Sequence, residues 1–155
     1  MPNCQIDEID RKILAILQTN AHATSDELSQ AVGLSSSPCA RRVRILEGAG
    51  VIKRYVAVID QAKIDLSISV FASIRLERQR EDNLERFAKA VSRWPEIVEC
   101  YLMTGRHDYL LRIVVKNLPA YEAFLKQKLT RLEGVSSIES SFALDQVKHF
   151  QGLPV

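Results

Sequence analysis

The sequence predicts an α+β protein in two parts, a helical head followed by a domain of strands and helices, and three observations carry that expectation. Apolar residues recur at helical spacing as far as Gly50, they alternate with period two from Ser67, and basic residues crowd into the stretch between these patterns. The 155-residue chain carries a net charge of only +2. Within it, residues 33–56 hold Arg41, Arg42, Arg44, Lys53 and Arg54 against Glu47 alone, a local +4, while residues 1–32 sum to −3. Positive charge gathered this way marks a docking face rather than an ordinary solvated surface. Hydrophobic residues at 46% and charged residues at 26% supply a packed core and exclude a disordered chain.

In the head, Ile9, Ile13, Ile16 and Leu17 give a first helix from a cap at Asp7 to about Asn20. Thr24 and Glu27 form a capping box for a short second helix that buries Leu28, Ala31 and Val32 and stops at Gly33. A third helix starts at Ser35, tolerates Pro38 in its first turn and ends at Gly50. On its wheel Val43 and Leu46 fall within roughly 40° of Cys39, whereas Ser37, Arg41 and Arg44 lie about 140° to 200° away. Two short helices, a glycine turn and a third helix with an exposed Ser/Arg face follow the helix-turn-helix plan, whose recognition helix enters the DNA major groove. The stretch Val51 to Ile59 reads as a strand or small wing. Arg41 is the expected base reader. Arg42 as a phosphate or structural contact, Arg44, Lys53 and Arg54 complete the set of DNA-binding residues, with Ser36 and Ser37 as donors to phosphate.

A linker at about 60–66 separates this head, residues 1–60, from a second domain over 67–155. Ile68, Val70, Ala72, Ile74 and Leu76 alternate as a strand, and a helix from about Glu81 to Arg93 stops before Pro95. Ile97–Thr104 and Tyr109–Lys116 form a hairpin around Gly105–Asp108. A helix from Leu118 to Leu132 closes at Gly134, and Val135–Leu144 is the last strand. The order βαββαβ is the ferredoxin-like arrangement, with both helices on one face of an antiparallel sheet. Phe71, Tyr101, Met103 and Tyr109 are expected on the other face, too apolar for water, so the sheet should self-associate.

Several classes are excluded by what the chain lacks. The longest apolar runs, such as ISVFASI, fall far short of the roughly 20 residues of a membrane helix, and no secretory signal opens the sequence, so a cytoplasmic protein is expected. Cys4, Cys39 and Cys100 are widely separated, which suggests idle thiols rather than disulfides or a metal site. No P-loop, nucleophile motif or metal signature appears, so no catalytic residues, cofactor or enzymatic activity are expected.

Four segments in order, IDEIDRKIL, GLSSSPCARRVRILEGAGVIKRYVAVID, GRHDYLLRI and SSFALDQVK, resemble the Lrp/AsnC family of transcription regulators over nearly the whole chain. The resemblance implies dimers that assemble into tetramers or octamers, a roughly palindromic double-stranded DNA operator, and regulation by a small molecule, most often an amino acid. It places the effector between subunits at Met103, Thr104, Gly105, Arg106, His107, Asp108 and Tyr109, with Ser140 or Ser141 reaching in from a neighbour's last strand. In that site Asp108 would accept from an α-ammonium group, and amides of the turn would take the carboxylate. An architectural DNA-binding protein without an effector is the alternative.

Overall fold

The structure is a computed structural model that describes residues 5–155, so Cys4 lies outside the described residues. The chain divides into two compact units, one taking in the chain to Val58 together with Val147–Val155, the other running from Ile59 to Gln146.

The first unit is built on α1 (Glu8–Thr19), α2 (Ser25–Val32) and α3 (Ser36–Gly48). The caps at Asp7 and Thr24 form, whereas Ser35, the cap expected for α3, makes no side-chain capping hydrogen bond. Asp7 accepts from the amide of Asp10 while the Asp10 carboxylate accepts from the amide of Asp7, and Thr24 and Glu27 do the same for α2. Ile13, Leu14, Leu17, Leu28, Cys39 and Leu46 make the core, an apolar stripe from each helix meeting the other two. The strand expected over Val51–Ile59 is absent. Val51 and Ile52 instead turn back, their amides donating to the Leu46 carbonyl at 2.9 and 3.2 Å, and the residues beyond form no regular structure, Tyr55 donating its hydroxyl to Glu47. Alternating side chains do not make a strand unless a second strand takes the backbone hydrogen bonds, and no described segment lies alongside this one.

Residues 147–155 belong to this helical unit. The Gln18 side-chain amide donates to the Leu153 carbonyl at 3.0 Å and accepts from the Leu153 amide, a two-bond clasp on α1. At Gly152, φ is +111°, a conformation that calls for glycine, and an added Cβ would come within 2.9 Å of the Gln18 side-chain end and press on the clasp.

The second unit opens with a 3₁₀ turn at Gln61–Ile64, followed by β1 (Ile68–Leu76), α4 (Glu81–Val91), β2 (Ile97–Leu102), β3 (Tyr109–Val115), α5 (Leu118–Gln127) and β4 (Val135–Phe142). The sheet order is β2-β3-β1-β4 with every neighbouring pair antiparallel, the ferredoxin-like arrangement read from the sequence. Helix α5 ends sooner than expected because the backbone departs from helical geometry at Lys128, but the 3₁₀ turn after it still delivers a fully buried Leu129 to the core.

Val70, Ala72, Ile74, Leu76, Leu111, Ile113 and Val115 cover one face of this sheet and pack on Phe87, Val91, Tyr121 and Phe124 of the helices. Tyr109 joins them, which corrects its expected place on the open face. Paired with Ile74 and Leu102, it falls on the helix side, stacks on Phe87 with ring centroids 4.4 Å apart and donates its hydroxyl to the Leu84 carbonyl. Phe71, Tyr101 and Met103 remain exposed as expected. No described helix is long and apolar enough to cross a membrane.

Candidate nucleic-acid interface and ligand pocket

Helix α3 sorts its arginines by angle. Arg41 and Arg44 point outward with Ser37, exposed and without a side-chain partner among the described residues. Arg42, one step of about 100° from Arg41, turns toward α1 instead. Its Nη1 donates to Asp7 Oδ2 and Asp10 Oδ1, each at 2.8 Å, so the guanidinium ties α3 to the capped first turn of α1. The two bonds raise the arginine's pKa further above its ordinary value, Asp10 contributing before Asp7. In return, the Asp7 carboxyl is held below its ordinary value, first by the Asp10 amide and then by Arg42.

Of the two roles expected for Arg42, phosphate contact or structural contact, the structure shows the second, because two carboxylates of the α1 cap converge on it. Ser36 is engaged in a similar way, its hydroxyl donating to the Asp26 carboxylate of α2. Lys53 and Arg54 stay exposed on the segment after α3. Cys39 is fully buried, and burial pushes its thiol pKa up, which describes a packing residue and not a reactive one.

In the second unit the β2–β3 hairpin forms one wall of a cavity of about 190 Å³, lined by Ser73, Met103, Thr104, Arg106, His107, Tyr109 and Leu110. Five of these were expected from the sequence. Gly105 makes the turn at φ +114°, a conformation suited to glycine, but does not line the cavity. Asp108 does not line it either. Only 5% exposed, it accepts from the Leu76 amide at 2.6 Å and from the Gln79 side-chain amide at 2.5 Å. Its own amide donates to the Ile74 carbonyl, and its carbonyl accepts from the Met103 amide. The carboxylate expected to receive an ammonium group thus fastens the hairpin to the end of β1.

Ser140 and Ser141 divide as neighbours on a strand must. The Ser140 hydroxyl shares a 2.5 Å hydrogen bond with the Tyr121 hydroxyl on the helix side, and Ser141 pairs with Phe71 on the open side. Sequence reasoning passed over Ser73 and Leu110. The signal was present in the alternation itself, since Ser73 is a polar residue set between the inward Ala72 and Ile74, and the register places it opposite Leu110. Among the described residues no cluster of three or more potential metal ligands occurs.

An exposed basic helix in a three-helix head, joined to a sheet domain with a hairpin pocket, defines a DNA-binding regulator with a ligand-binding domain. Residues 6–53 match the winged helix-turn-helix DNA-binding family, and residues 69–153 match the Lrp/AsnC ligand binding domain. The chain is 44% identical to the Bkd operon transcriptional regulator of Pseudomonas aeruginosa, with 92% of this chain and 94% of that protein aligned. It is 37% identical to the leucine-responsive regulatory protein of Rhizobium meliloti, over 93% of this chain and 92% of the relative. A transcriptional regulator of Neisseria meningitidis, solved in complex with L-Met, superposes with a TM-score of 0.91 at 38% identity, covering 97% of each chain. The protein belongs to the Lrp/AsnC family, whose members are transcriptional regulators and not enzymes.

Proposed function

We propose that this regulator reads a roughly palindromic DNA operator in the cytoplasm and that an amino acid bound at the hairpin pocket, between subunits of a homo-oligomer, changes how it does so. The observation that carries this reading is the hairpin pocket itself. It lies in the segment that matches a ligand-binding domain, and it brings Arg106 and His107 beside the apolar Met103 and Leu110. That mixture suits a molecule with a carboxylate and a side chain. The relatives named for leucine response and solved with L-Met support the ligand class.

Two unpartnered features support assembly. The open sheet face exposes Phe71, Tyr101 and Met103, and the irregular segment after α3 exposes Val56, Val58 and Ile59 with no strand partner among the described residues. A second copy that covered both would remove apolar surface from water and supply the missing strand. Pairing also sets two α3 helices about one DNA turn apart, with half-sites spaced by about 10 bp. Arg41 is the base reader in this arrangement. Arg44, Ser37, Lys53 and Arg54 face the DNA with it.

Thermal unfolding of the purified protein against each of the twenty amino acids at about 5 mM tests the effector. A ligand at 100 times its Kd stabilises by about 2.7 kcal/mol, so one amino acid, or a small related group, is expected to raise Tm. A flat response across the panel would leave a DNA-binding protein without an amino-acid effector.

A further inference from the structure

We infer that Glu139, on β4, is the acid that receives the α-ammonium group of an amino acid in the hairpin pocket. The inference rests on the reading of that pocket as the effector site and adds the residue that distinguishes an amino acid from other small carboxylates. A free amino acid is a zwitterion, so a site that selects it needs an anion as well as a cation. Arg106 supplies the cation.

The hairpin's own acid is not available for this task. Asp108 is buried, and its two oxygens already accept from Leu76 and Gln79. Glu99, on β2, is also engaged, with Oε1 accepting from Arg112 and Oε2 from Tyr101.

Glu139 differs from both. The sheet register sets it directly opposite Ser73, which lines the pocket, and its Oε2 lies 3.3 Å from Nε2 of His107, which also lines it. Its side chain is 70% exposed, and Oε1 has no partner among the described residues. The imidazole therefore holds one oxygen at the rim while the other stays open to a donor. An ammonium group has three N–H bonds to direct, and a carboxylate fixed by one neighbour loses little further freedom on receiving one of them. Ser73, His107 and Glu139 come from three different parts of the chain and meet only through strand pairing, so no local motif announces the group.

The test uses the full-length protein and the twenty protein amino acids as probes, each compared with its 2-hydroxy analogue, in wild type and in Glu139→Gln. The substitution keeps size and one neutral acceptor, and its exposed position leaves the core untouched. The amino acid that stabilises wild type should need about 10- to 100-fold higher concentration in Glu139→Gln, the ratio that a charge-assisted hydrogen bond represents. Its hydroxy analogue should respond equally in both proteins. Glu139→Asp should recover part of the loss.

Equal responses of wild type and Glu139→Gln to the amino acid would overturn the assignment while leaving the effector pocket in place. A matching loss for the hydroxy analogue would also overturn it, since the residue would then not be reading the amine. If no amino acid stabilises wild type, the pocket reading falls and this inference falls with it.

Discussion

Helix α3 and the β2–β3 hairpin each set a charged residue outward and keep another for the fold itself, but they separate the two by different means. On α3 the helical twist does it: Arg41 faces solvent while Arg42, the next residue, bridges Asp7 and Asp10. In the hairpin depth does it: Arg106 lines the pocket, and Asp108 sinks to 5% exposure against the end of β1. The retained charges also differ in company. Arg42 meets two opposite charges with its side chain still 29% exposed, whereas Asp108 meets neutral amides in a nearly dry setting. Loss of a buried acceptor leaves its donors without a partner, while water can take the place of the part-exposed Arg42 beside Asp7, though less readily beside the buried Asp10, so the hairpin should suffer more from losing its retained charge.

That contrast breaks most readily at Asp108. Asp108→Ala strands the Leu76 amide and should cost about 2 to 3 kcal/mol in denaturant unfolding, together with any amino-acid response, because the hairpin comes loose. Wild-type stability would show that the carboxylate is not a fastening. Next in size is Arg41→Ala, which should cost about 1 to 3 kcal/mol of specific DNA binding and relax base preference at one position per half-site, with unfolding unchanged. A randomised-operator selection reads this directly.

Arg42→Ala should do the reverse on a smaller scale, lowering stability by about 1 kcal/mol and leaving the preferred operator sequence as it was. A changed base preference in that variant would return Arg42 to the DNA interface. Acid gives the finest test. The folded-state pKa of Asp7 lies below its ordinary value of 3.8, so its contribution is complete above that value and disappears as pH falls through the lowered one. Helical signal followed from pH 5 to pH 2 should show a loss below about 3.8 that Asp7→Asn flattens.

How much of this was legible beforehand follows from what a periodic pattern contains. Caps and apolar stripes are local, so the three helices of the head and the βαββαβ order could be read from neighbours three or four places apart. The wheel also gave the direction of Arg41. It could not show that Arg42 would find carboxylates 32 and 35 residues earlier in the chain. Tyr109 was placed on the wrong face because alternation cannot be carried through a turn of unknown geometry. For Asp108, residue type revealed an acceptor and concealed its burial. Glu139 and Ser73 needed the register of β1 with β4, which exists only once the sheet has formed.

The clasp between Gln18 and Leu153 has a bearing on how the protein is made. Its partners are 135 residues apart, and the whole sheet unit is translated between them. At about 5 to 20 residues per second, Gln18 is added roughly 7 to 27 seconds before Leu153. During that interval the nascent head holds its three helices by the Asp7 and Thr24 caps, the Arg42 bridge and a small apolar core alone. The DNA-binding unit therefore waits for a segment made after the whole sheet unit, and a polypeptide released before Leu153 would carry its α1 without the clasp on Gln18.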